Sequence, residues 1–204
     1  MMPTVYELDA LQELVNIGVG RAASILNEMV GSHVHLQIPY TKLISSAEVQ
    51  QDLEQQLGIA PISAVRLGFN GSFAGVAQLV FPTDSASKLV AVLTREEFDL
   101  YDLDAVKIGT LSEVGNIVIN GVMGSISNVL QQHLNYSLPI YLEDTVGNLL
   151  TSHDFEIASA AVLIAKARFT IEQLLIAGDI ILIFKLGALD TLLTALNLGL
   201  EESA

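Results

Sequence analysis

Two pairs of side chains have types and spacing that could do chemistry. Glu13 and Asn16 form the first, and Glu113 and Asn116 the second, each an acid followed by an amide three residues later. A helix turns about 100° and rises about 1.5 Å per residue, which puts each pair within about 60° on one stripe. Asp9 precedes Glu13 by a turn and falls within about 40° of it. The first stripe lies away from Leu11, Leu14 and Val15. The second is set in an apolar stretch: with His133 neutral, Glu113 is the one formal charge from Ile108 to Pro139. An unpaired carboxylate is too costly to bury, so Glu113 is expected on an exposed face.

An Asn carboxamide offers an acceptor and two donors in a rigid plane, enough to hold a water molecule at a set angle. A nearby Glu can anchor a cation or a lysine on a partner. Neither is a good nucleophile or base at neutral pH, because Glu titrates near 4.3 and Asn does not titrate. The pair therefore suits catalysis by positioning, and phosphoryl transfer is the reaction that gains most from it. A single Glu and Asn at this spacing is usually a solvated helix face. Two copies in matched register, each Asn 23 residues before a proline (Pro39 and Pro139), carry more weight. Duplication alone would also preserve a harmless pair, so chemistry by itself leaves both readings open.

The elements that must position these residues repeat. "ELVNIGVGRAASILNEMVGSHVHLQIP" from Glu13 overlays "EVGNIVINGVMGSISNVLQQHLNYSLP" from Glu113 at a constant offset of 100. A weaker echo relates residues 75–93 to 178–196 at an offset of 103. Each half reads alike. A long helix comes first, over 7–30 and 103–134, with apolar residues at helical spacing. The second helix is rich in Gly and Ser; each Gly costs about 1 kcal/mol against Ala, which close packing on another backbone would offset. Alternating strands follow at 33–40 and 135–142. A hairpin comes next, turning at Asn70-Gly71 in the first half. A closing helix is expected at 84–93, capped by Thr83-Asp84, and at about 189–196. Residues 45–57 add a short helix. The expected fold is an α/β (α+β) sandwich: pseudo-twofold αβ(α)ββα units sharing a mostly antiparallel sheet, with the two long helices packed together. It makes one domain over 1–204, with halves of about 1–98 and 99–204.

Composition narrows the function. The chain has 204 residues, 51% of them hydrophobic, so disorder is not expected. No apolar run reaches the roughly 18 residues of a membrane span, and Lys166 interrupts the most apolar stretch. Residues 1–10 do not read as a secretory signal. The absence of cysteine excludes disulfides, thiol nucleophiles and thiolate metal sites, and fits a cytoplasmic location. The net charge of −14 repels nucleic acid and anionic lipid, and suits a folded protein partner with a cationic patch. His33 and His35 share a strand face and read as solvated rather than as zinc ligands.

The spacing Asp9, Glu13, Asn16, Pro39, with Glu113, Asn116, Pro139 as a second copy, resembles the CheC/CheX/FliY phosphatases of bacterial chemotaxis. The resemblance covers nearly the whole chain, and two copies in this length look CheC-like. It departs at Gly109, where the motif has Asp or Ser; Thr110 or Ser112 could substitute. The flagellar switch protein FliM shares the family's fold but lacks the Glu/Asn pairs, and FliY-type proteins carry further terminal segments. The resemblance implies hydrolysis of the aspartyl phosphate on a CheY-type response regulator. Asn16 and Asn116 would orient the attacking water, Glu13 and Glu113 would dock on the regulator's lysine, and Asp9 would support the first site. It implies no cofactor of this chain's own, the Mg2+ belonging to the regulator. It also implies the deamidase CheD as a partner, for which residues 142–150 are the candidate surface. The alternative is a non-catalytic adaptor that binds a regulator or CheD.

Overall fold

The computed structural model describes residues 4–37, 40–45, 48–95, 103–151, 161–185 and 194. The elements are α1 (Val5–Val30), β1 (His35–Leu36), β2 (Tyr40–Ser45), α2 (Val49–Leu57), β3 (Ile62–Gly71), β4 (Gly75–Pro82), α3 (Thr83–Thr94), α4 (Leu103–Val129), β5 (Leu134–Tyr136), β6 (Ile140–Asp144), α5 (Val146–Thr151), β7 (Ala161–Ile171) and β8 (Ile176–Lys185).

α1 starts where Thr4 caps it. Thr4 Oγ1 accepts from the Glu7 N–H at 3.2 Å, and Glu7 Oε2 accepts from the Thr4 N–H at 2.8 Å. The helix stops at Gly31, which takes the left-handed conformation. Leu11, Leu14, Val15, Val19, Ala22 and Leu26 form its buried stripe, and Leu111, Val114, Val118, Val122 and Ile126 form that of α4. The two helices pack antiparallel. A methyl group on Gly18 would lie 3.0 Å from Val122 O and 3.2 Å from Ile126 Cγ1, while one on Gly121 would lie 2.3 Å from Ile25 Cδ1. The small residues that weaken helix propensity are thus what lets these backbones approach.

Among the described residues the sheet has eight strands, and all their pairings are antiparallel. β4 and β8 run side by side at the centre, flanked by β3 and β7. The edges are exchanged between the sequence repeats: β1 and β2 pair with β7, and β5 and β6 pair with β3. One face, through Val65, Leu67, Phe69, Leu79, Leu163 and Phe169, packs under α1, α3 and α4. The other face, through Ile62, Ala64, Val80, Ile164 and Ile181, packs under α2 and α5.

Several local expectations change. Asn70-Gly71 is not a two-residue turn. β3 and β4 part after the Phe69–Gly75 pair, and Asn70 and Gly71 pair instead with Asn135 and Leu134 of β5. Gly71 sits at φ 153°, and a methyl there would lie 2.4 Å from His133 O, so the dipeptide serves close strand approach. The strand expected at 135–142 is split. Pro139 has no N–H for a ladder, and Leu138 is 84% exposed between β5 and β6. Ser137 bridges the gap by donating its N–H to Gly68 O and accepting from Gly68 N on Oγ, both at 2.9 Å. The strand expected at 33–40 likewise splits into β1 and β2. α4 ends at Val129 rather than 134, because Leu134 is already paired with Gly71. α3 begins without a side-chain cap; Thr83 Oγ1 donates to Pro61 O instead. Pro39 lies outside the described residues, as does the helix expected at 189–196 except for Thr194.

Candidate functional site: twin ridges on the paired helices

Glu13 and Glu113 are exposed, and Asn16 and Asn116 are half-buried beside them, one turn further along α1 and α4. Each pair stands beside an exposed isoleucine, Ile17 at 45% and Ile117 at 39%. An acid, an amide and an apolar knob therefore form a ridge on each helix, on the side opposite its buried stripe. Asp9 is exposed one turn before Glu13. The helix register sets Asn16 and Asn116 on opposite sides of the crossing, about 18 Å apart along the axes. The two ridges are thus separate and do not face each other across one cleft.

The ridges differ in support. Asn120 Nδ2 donates to Asn116 Oδ1 at 2.8 Å, which fixes the plane of that amide. The carbonyl keeps a second lone pair and the amide its two N–H donors for a bound water. The corresponding residue in α1 is Gly20, so Asn16 has no such brace. The helix starts differ too. α1 has its capping box, whereas Lys107, 100 residues after Glu7, reaches across to β6 and meets Glu143 Oε2 at 2.7 Å. Tyr141 donates to Glu143, and its oxygen lies 3.2 Å from the Ser63 hydroxyl, tying α4 to β6 and β3. Burial works against the Glu143 charge, but hydrogen bonds from Lys107 and Tyr141 hold its carboxyl below the usual range. Burial likewise opposes the Lys107 charge, and the bonds to Glu143 and Tyr141 raise it above the usual amine range. At Gly109 a side chain would meet open space.

Sequence reasoning missed the Asn120 brace and the Lys107 clamp. Asn120 follows Asn116 at the i, i+4 spacing of helix partners, a legible signal; the clamp joins residues 36 apart in sequence and left none. In the 142–150 segment, Val146 and Leu149 are buried under the sheet and Leu142 packs against the same cluster, so these apolar residues serve the core. His33 and His35 are exposed with rings 4.5 Å apart, edge to face. No helix among the described residues is long and apolar enough to cross a membrane.

The exchanged antiparallel sheet under two antiparallel helices is the fold of solved CheC-like proteins, and the sequence is similar to a curated one. No family model matches the chain. A particular relative is the CheY-P phosphatase CheC of Bacillus subtilis, 26% identical over 157 residues, which are 74% of this chain and 73% of that protein. Among solved structures, Thermotoga maritima FliY superposes with a TM-score of 0.77 at 18% identity, over 98% of this chain and 100% of that one. FliM in the Helicobacter pylori FliM–SpeE complex gives 0.67 at 11% identity, over 96% and 97%. The Borrelia burgdorferi CheX–CheY–BeF3–Mg2+ complex gives 0.54 at 18% identity, over 83% and 96%.

Proposed function

We propose that this protein is a cytoplasmic chemotaxis phosphatase that hydrolyses the aspartyl phosphate of a CheY-type response regulator. The observation that carries the reading is the solvent-facing Glu, Asn and Ile on each of two paired helices. The named activity of the Bacillus relative and the CheX–CheY complex support it. On docking, Glu13 or Glu113 engages the regulator's active-site lysine, and Ile17 or Ile117 packs on its surface. Asn16 or Asn116 then enters beside the acyl phosphate and holds a water in line with the bond to be broken. Orientation is the catalytic contribution: the water loses its rotational freedom before the reaction, and no proton acceptor on this chain is required. The Mg2+ that neutralises the phosphoryl oxygens is the regulator's.

A second reading, a non-catalytic adaptor for a regulator or for CheD, draws on the likeness to FliM. One experiment separates them. The protein and its Asn16→Ala/Asn116→Ala variant are each mixed with a BeF3-loaded regulator and, separately, with the phosphorylated one. The phosphatase reading expects the variant to bind and yet not speed phosphate release. Binding without acceleration by the unmodified protein would establish the adaptor.

A further inference from the structure

On the far side of the sheet from the ridges lies a polar cleft of about 240 Å3, lined by Gln37, Tyr40, Gln56, Lys166 and Arg168. That is several times the roughly 30 Å3 share of one water. Residues 164, 166 and 168 of β7 point the same way, and Ile164 belongs to the core under α2 and α5. Tyr40 is directly opposite Lys166, and Asp179 directly opposite Arg168, so all four side chains share this face.

The charges do not balance. Lys166, with 8% of its side chain exposed, meets Asp179 Oδ1 at 3.2 Å. Lys42 meets Asp52 at 2.6 Å, and Asp52 accepts from Tyr40 at 3.3 Å and from Gln56 at 2.8 Å. These pairs cancel. The half-buried Arg168 guanidinium has no hydrogen bond or ion pair with any described residue and is offset only at longer range, by the Asp179 charge that it shares with Lys166. Tyr40 stays a neutral phenol, pushed up to about 12 by burial and by the neighbouring Asp52 charge.

The pseudo-twofold mate of Lys166 shows what such a place is filled with. Arg66, 100 residues earlier, is also buried on this face and donates to Leu149 O at 2.6 Å. There a backbone oxygen accepts and at Lys166 the Asp179 carboxylate does, whereas among the described residues the Arg168 guanidinium beside it has no hydrogen-bonded acceptor. We infer that this cleft binds a small oxyanion, a carboxylate or phosphate group. Two of its oxygens take the Arg168 fork, with the Lys166 ammonium and the Gln37 amide beside them, while Gln56 keeps its donors on Tyr40 and Asp52 and lines the cleft wall.

The test is NMR titration with sodium phosphate and, separately, sodium acetate, at constant ionic strength. At least one anion is expected to shift the Gln37 and Gln56 side-chain amides saturably. Acetate alone would identify a planar carboxylate ligand, and phosphate alone a tetrahedral one. Arg168→Gln is expected to weaken that binding about tenfold, a loss of about 1.4 kcal/mol. Arg168→Lys keeps the charge but not the fork and should fall between. The Asn16→Ala/Asn116→Ala variant should bind like the unmodified protein, which keeps this result separate from the fate of the phosphatase reading. No saturable shift with either anion, shifts confined to other residues, or equal binding by both Arg168 variants would overturn the inference.

Discussion

Asn116 is braced by a neighbour and Asn16 is not. The 2.8 Å bond from Asn120 removes one rotation from the Asn116 amide before any partner arrives. A hydrogen bond of this kind is worth about 1 kcal/mol, or about fivefold in a rate that depends on amide orientation. Asn120→Ala, placed in an Asn16→Ala background so that the second ridge alone works, is therefore expected to slow phosphate release about fivefold. Regulator binding should be little changed. Gly109 makes a separate point. It lies exposed inside α4, with open space where a side chain would go. Gly109→Ala should raise stability by about 0.5–1 kcal/mol, seen as a higher melting temperature, without altering activity. The departure from the family motif at this position then bears on helix stability and leaves the Glu113–Asn116 geometry intact.

At the scale of elements, the two helices that carry the ridges are anchored by different devices. Thr4 and Glu7 close α1 on itself, and Lys107 ties α4 to β6 through Glu143. The Glu143 carboxyl titrates below its ordinary 4.5 in the folded state. The ion pair therefore adds stability that is present above pH 4.5 and is lost as the pH falls through the lower folded value. Glu143→Gln should lower stability at pH 7 by an amount on the order of 0.5 kcal/mol, seen as a lower melting temperature, since the pair is partly exposed. The difference from the unmodified protein should vanish in strong acid. The long helices were legible because their apolar stripes recur over many turns, and the Glu/Asn ridges because they repeat at a fixed offset. Strand ends were not. Gly71 looked like half of a turn because its dipeptide is turn-forming, while its actual role depends on His133 and Leu134, some sixty residues away. Pro139 signalled the break between β5 and β6, but alternation on either side of it masked the signal.

At the scale of the whole molecule, the exchanged edges decide what can fold. β2 finds its partner in β7 and β6 finds its partner in β3, so neither repeat holds a complete sheet. α1 likewise covers its close-packed face with α4. Residues 1–98 and 99–204 produced separately are expected to show no cooperative thermal transition, and to regain one when refolded together. A cooperative transition from either fragment alone would refute this interdependence. The same arrangement gives the molecule two ridges about 18 Å apart along the helices, and under the proposed function each meets one regulator. The most direct measurement is the decay of a phosphorylated CheY-type regulator with the unmodified protein, Asn16→Ala, Asn116→Ala and the double variant. We expect fast decay with the first, partial acceleration with each single variant, and the regulator's own slow decay with the double. Acceleration that survives loss of both amides would contradict the account.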